Sequence, residues 1–184
     1  MATAANFYAQ VMMLAGVLAV LAGIAVLVKL GLSQIDSAYA YFVPSAADLN
    51  GGHYGGPTIS QQQATDLILA AMLIGVGLLV SGVHWLLSRF VGRMAGASPS
   101  WIVGGTLVAL TVLCGLAALL STVVGGYQVL TYFIVGAQQA GQFGDSVGAA
   151  VVFLPAWAVV ITILLRQVRH PAAKTPTSTL ASTA

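Results

Sequence analysis

Four long apolar stretches, separated by shorter polar ones, organise the chain. They cover residues 11–28, 66–87, 101–124 and 145–165, and an aromatic shoulder, residues 127–135, continues the third. With its flanks each reaches the roughly 20 residues needed to cross the hydrocarbon of a bilayer. The polar intervals are residues 33–63, 88–100 and 138–144. The pattern predicts an all-α integral membrane four-helix bundle.

The first and third stretches echo each other. Leu18, Val20, Leu21, Gly23, Ala25 and Leu27 align without a gap on Leu110, Val112, Leu113, Gly115, Ala117 and Leu119. One residue of slippage later Tyr41-Phe42 meets Tyr132-Phe133, and further on Asp66 with Ala70-Ala71 meets Asp145 with Ala149-Ala150. A fixed-spacing echo is the signature of a duplicated unit. The expected organisation is therefore two tandem helix–shoulder–helix repeats, residues 1–100 and 101–170, followed by a disordered tail over residues 171–184 that is rich in Ala, Thr, Ser and Pro. In the second repeat the connection that matches the long loop of the first is about a dozen residues shorter, and the tip of that loop holds the glycine-rich run at residues 50–57. Insertions of this kind gather on one face, often a partner-binding one.

Composition narrows the class. Hydrophobic residues make up 59% and charged residues 5%, with no Glu, far below the quarter or so of charged residues that a soluble domain carries. Lipid must serve as solvent. The net charge of +2 forms no basic patch, which argues against nucleic acid. Cys114 is the single cysteine, so no intrachain disulfide is possible. Ala38-Tyr39-Ala40 resembles a signal-peptide cleavage site, but the N-terminal segment lacks positive charge and Lys29 follows the apolar run, so the first helix is expected to be retained.

Orientation follows from the basic residues. Arg89, Arg93, Arg166, Arg169 and Lys174 fall on one side of a four-span topology, and Lys29 lies toward the other with Asp36, Asp48, Asp66 and Asp145. Basic residues in short loops are retained in the cytoplasm. This predicts a plasma (inner) membrane protein with both termini cytoplasmic. Two aromatic bands agree with it, one including Tyr39, Tyr41, Tyr127 and Tyr132, the other Phe7, Tyr8, Trp85 and Phe90.

Few residues carry chemistry. His84 is the foremost functional candidate, yet it has no second intramembrane His for haem and no carboxylate for a proton relay; it reads as an interfacial His-Trp pair with Trp85. Asp66 and Asp145 each begin an apolar stretch and are expected to cap their helices. Lys29 is expected to snorkel to water. Asp48 and His53 are too few for a metal. No catalytic residue, metal or cofactor is therefore assigned, and no enzyme is expected. Small residues instead mark packing faces: Ala15, Ala19 and Gly23; Gly77 and Ser81; Gly104, Thr111 and Ala118. Pro155 is expected to bend the fourth helix.

His84-Trp85 followed by Arg89, together with Pro155-Ala156-Trp157, resembles a family of small bacterial multi-span membrane proteins that has no established activity. The resemblance implies a four-span fold and no catalytic residue. The reading is a non-catalytic subunit or scaffold that contacts lipid and packs against other membrane proteins. The alternative is a small passive channel or transporter acting as a homo-oligomer.

Overall fold

A computed structural model describes residues 2–41, 43, 56–95, 100–135 and 142–169. Asp48, His53, residues 138–141 of the polar interval 138–144 and the tail from residue 171 lie outside the described residues.

The described residues form α1 (Ala2–Ile35), a short 3-10 helix (Ser37–Tyr39), α2 (Ile59–Ala95), α3 (Ser100–Val135) and α4 (Gly144–Arg169). All four α-helices are long and apolar enough to cross a membrane. At 34, 37 and 36 residues, α1, α2 and α3 reach about 50–55 Å at 1.5 Å per residue, well beyond a hydrocarbon core of about 30 Å. The sequence pattern marks only their apolar middles. No strand occurs among the described residues.

Two boundaries differ from expectation for identifiable reasons. The second helix starts at Ile59 rather than Asp66. Thr58 Oγ1 accepts from the Gln61 amide (3.3 Å), while Gln61 Oε1 accepts from the Thr58 amide (2.9 Å). That reciprocal pair is a capping box, and it draws the polar Gln61-Gln62-Gln63 segment into the helix. In α3 the Gly125-Gly126 pair, which separates the third apolar stretch from its aromatic shoulder, sits inside one unbroken helix. Gly125 packs against α4, where an added Cβ would lie 3.3 Å from Ser146.

The helices pack in an open arrangement around α1. It packs most extensively on α2 and also contacts α4 and, more lightly, α3; α4 in turn pairs with α3. The extensive contacts of α2 are with α1 alone, so α2 stands on the flank of the other three helices.

Glycine sets the α1–α2 approach. A Cβ on Gly77 would sit 2.7 Å from the Gly16 carbonyl oxygen and 3.0 Å from the Val20 amide nitrogen; one on Gly23 would sit 2.7 Å from Ile74 Cγ1. Backbone thus meets backbone, the closest approach two helices can make. The α3–α4 pair differs, because Gly115 faces the indole of Trp157, with a Cβ 2.8 Å from Nε1. Carried over by the echo, Gly23 opposite Ile74 would put Gly115 opposite Phe153, one helical turn from where it sits.

Candidate functional site: a charged cluster joining three helices

The ends of α1 and α3 and the starts of α2 and α4 lie at one end of the molecule, the acidic end. Beyond α1, Asp36 caps the 3-10 helix by accepting from the Ala38 amide (2.9 Å). The turn closes with the Tyr41 amide donating to the Ser37 carbonyl (2.8 Å). The chain thereby reverses, and Tyr41, 3% exposed, points its ring back toward the helices.

Its hydroxyl donates to Asp66 Oδ2 at 2.9 Å. The same oxygen lies 3.0 Å from Lys29 Nζ, which is also 3.1 Å from Asp145 Oδ1. The ammonium further sits 5.0 Å from the centroid of the Tyr41 ring, where the face of the π-system attracts a cation. One lysine of α1 thus bridges a carboxylate of α2 and one of α4. Lys29 precedes the end of α1 by six residues and Asp66 follows the start of α2 by seven. Both therefore lie about 10 Å inside their helices, whereas Asp145 stands in the first turn of α4. The paired helices α1 and α2 overhang the start of α4 by about two turns.

These positions correct two expectations. Asp66 does not cap α2, because Thr58 does. Lys29 does not extend to water: its side chain is 13% exposed, against 18% for Asp66 and 72% for Asp145. Burial, and then the hydrogen bond to Asp66, raise the Tyr41 phenol above the ordinary tyrosine range. It stays protonated and serves as a donor. A charge taken out of water needs partners close at hand, and the cluster supplies them at its buried side while Asp145 keeps the other side wet.

Neighbouring contacts strengthen this end. Ser33, 5% exposed, donates to the Leu30 carbonyl (2.7 Å) and accepts from Gln63 Nε2 (3.2 Å), a second α1–α2 tie. Tyr39, Tyr132 and Phe143 form an aromatic cluster with ring centroids 5.0–5.5 Å apart. Tyr39, Tyr41 and Tyr132 therefore take part in internal contacts and do not form a simple lipid-facing belt. An open groove of about 350 Å³ between α1 and α2, lined by Leu27, Gly31, Gln34, Gln63 and Leu67 among others, is mostly apolar.

His84 lies in α2 at the opposite, basic end. Its Nδ1 is 2.8 Å from the Val80 carbonyl oxygen, to which it donates, and its ring meets Tyr8 edge-on at 5.5 Å. Trp85 is 46% exposed and stacks under the Arg89 guanidinium at 4.2 Å. Of the small residues singled out by spacing, Gly23, Gly77 and Ser81 lie at the α1–α2 contact, where Ser81 Oγ is 3.4 Å from the Met13 carbonyl oxygen. Ala19 is partly exposed and Ala15 exposed; the contact turns instead on Gly16, next in sequence to Ala15. Ala118 is buried, and Thr111 donates to the Leu107 carbonyl (2.8 Å) within α3. Nothing lies within 4 Å of a Cβ built on Gly104.

The charged cluster was missed because its members are distant in sequence and look ordinary singly. The alignment of Asp66 with Asp145 was its one signal. Among the described residues no group of three His, Cys, Asp or Glu side chains is placed to hold a metal ion. No protein family, curated protein or solved structure compared with this chain matches it, and the resemblance drawn from the His-Trp and Pro-Ala-Trp motifs gains no support from that comparison.

Proposed function

We propose that the chain is a non-catalytic multi-span protein of the plasma (inner) membrane that serves as a subunit packing against another membrane protein. The observation that carries this reading is the exposure of α2. Its extensive packing is with α1 only, and its Ile68, Met72, Leu79 and Leu86 side chains are exposed. On that open perimeter Gly75 and Gly82 stand one heptad apart with nothing within 4 Å of an added Cβ. In lipid, small residues favour close approach of a further helix. Extraction from native membrane in mild detergent, followed by identification of co-migrating chains, tests it. A stoichiometric membrane partner is expected, and a homogeneous homo-oligomer would overturn it.

The charged cluster favours a second reading, a small passive channel or transporter acting as a homo-oligomer. Ionisable side chains within membrane-crossing helices are costly and often mark ion pathways. The two-repeat architecture belongs with either reading, and so does the orientation with the basic end in the cytoplasm. The latter predicts that a cysteine at exposed Gln142 reacts with an impermeant thiol reagent in intact cells, while one at exposed Gln167 does not. The reverse pattern would invert the topology.

A further inference from the structure

We propose that the first half of α4, residues 144–154, is a hinged arm that the Lys29–Asp145 ion pair latches against α1. The hinge is Pro155, inside α4. Lacking an N–H, it leaves the Val151 carbonyl without its helical donor, and such a site is where a helix bends.

The arm's other close contacts are non-directional packing. Gly144 lies against Ala40, 2.9 Å from an added Cβ; Gly148 lies against the Ala25 carbonyl, at 2.6 Å; Gly125 of α3 lies against Ser146; and Phe143, just before the arm, stacks with Tyr39 and Tyr132. Among the described residues Lys29–Asp145 is the only ion pair from α4 to another helix. The two halves of the cluster are built for different duties. Lys29 and Asp66 are largely buried and keep Tyr41 as a common partner, whereas Asp145 is 72% exposed. Water and salt compete for an exposed pair. Lys29 can therefore let go of Asp145 and remain paired with Asp66. Release swings the arm about Pro155 and opens Lys29, Asp66 and Tyr41 to water at the acidic end. This holds whether or not the protein has a partner subunit.

Spin labels on cysteines at exposed Gln34 and Gln142, in a Cys114→Ser background, report the arm by pulsed electron–electron distance measurement. An arm of eleven residues is about 16 Å long, so a swing of about 20° displaces its tip by about 5 Å. The latched protein should give a narrow distribution. Asp145→Asn should broaden it by adding a population displaced by about that amount, Asp145→Glu should keep it narrow, and adding Pro155→Ala to Asp145→Asn should restore it. An unchanged distribution in Asp145→Asn, or no restoration by Pro155→Ala, overturns the proposal. Should Asp145→Asn fail to accumulate, the unsubstituted latch is measured at low salt and at about 1 M, where the screening length falls to about 3 Å. Broadening at high salt is expected, and identical distributions overturn the latch.

Discussion

The two helix pairs begin from echoing sequences and pack by different means. In α1/α2, Gly16 and Gly77 bring backbone onto backbone, and the pair is then tied by Ser33–Gln63, Tyr41–Asp66 and Lys29–Asp66. In α3/α4 the corresponding glycine, Gly115, accommodates the indole of Trp157, and its aspartate, Asp145, reaches outward to α1 rather than to α3. A glycine in a membrane helix can serve two ends: it admits another backbone, or it makes a socket for a large ring. Sequence identity at the glycine does not distinguish these, because the choice lies with the residue across the interface.

The largest expected effect comes from breaking the tighter contact. Gly77→Leu must displace the Gly16 carbonyl, which is backbone and cannot turn aside. The cost should reach or exceed the roughly 1–3 kcal/mol typical of overpacking, read as a loss of stability in mixed-micelle unfolding. Gly115→Ala meets only a side chain, so Trp157 can shift, and a cost below about 1 kcal/mol is expected. Equal losses from these two substitutions would remove the distinction between backbone contact and socket.

Charge supplies the next largest difference. Lys29→Met leaves Asp66 with Tyr41 but no cation. Removing one member of a fully buried pair costs roughly 3–5 kcal/mol, and the partial exposure here lowers the expectation to about 2–3. Asp145→Asn removes an exposed partner and should cost no more than about 1 kcal/mol. Unfolding of the two variants side by side checks the order. An Asp145→Asn loss as large as that of Lys29→Met would mean that the cluster's outer half bears weight equal to its inner one.

How much of this was legible follows from the same residues. Four helices were, because apolar runs of this length have few other uses. The start of α2 was recoverable from Thr58 and Gln61, whose spacing is a helix-start signal, but the apolar run beginning at Asp66 drew the boundary inward. Gly23, Gly77 and Ser81 could be picked by spacing, since a small residue every fourth position faces one way. Gly16 could not be preferred to Ala15, because helix rotation is set by the partner surface. The meeting of Lys29 with Asp66 and Asp145 depends on that rotation and on the overhang of α1 and α2. Neither is written in any local window.

The smallest expected effects lie at the basic end, which lacks the acidic end's internal ties among the described residues. Trp85 is half-exposed and carries the Arg89 guanidinium on its ring, a contact worth about 0.5–1 kcal/mol at an exposed site. Trp85→Ala should lower stability by about that amount. His84 engages Val80 within its own helix and touches Tyr8 with its ring edge. A glutamine in its place keeps a donor and gives up only the ring contact, so His84→Gln should change stability by a few tenths of a kcal/mol, less than Trp85→Ala. Assembly and any activity of the protein should persist. If His84→Gln abolished activity while the protein still assembled, the imidazole would be a working group, and the basic end would have to be rebuilt around it with Tyr8 as its neighbour.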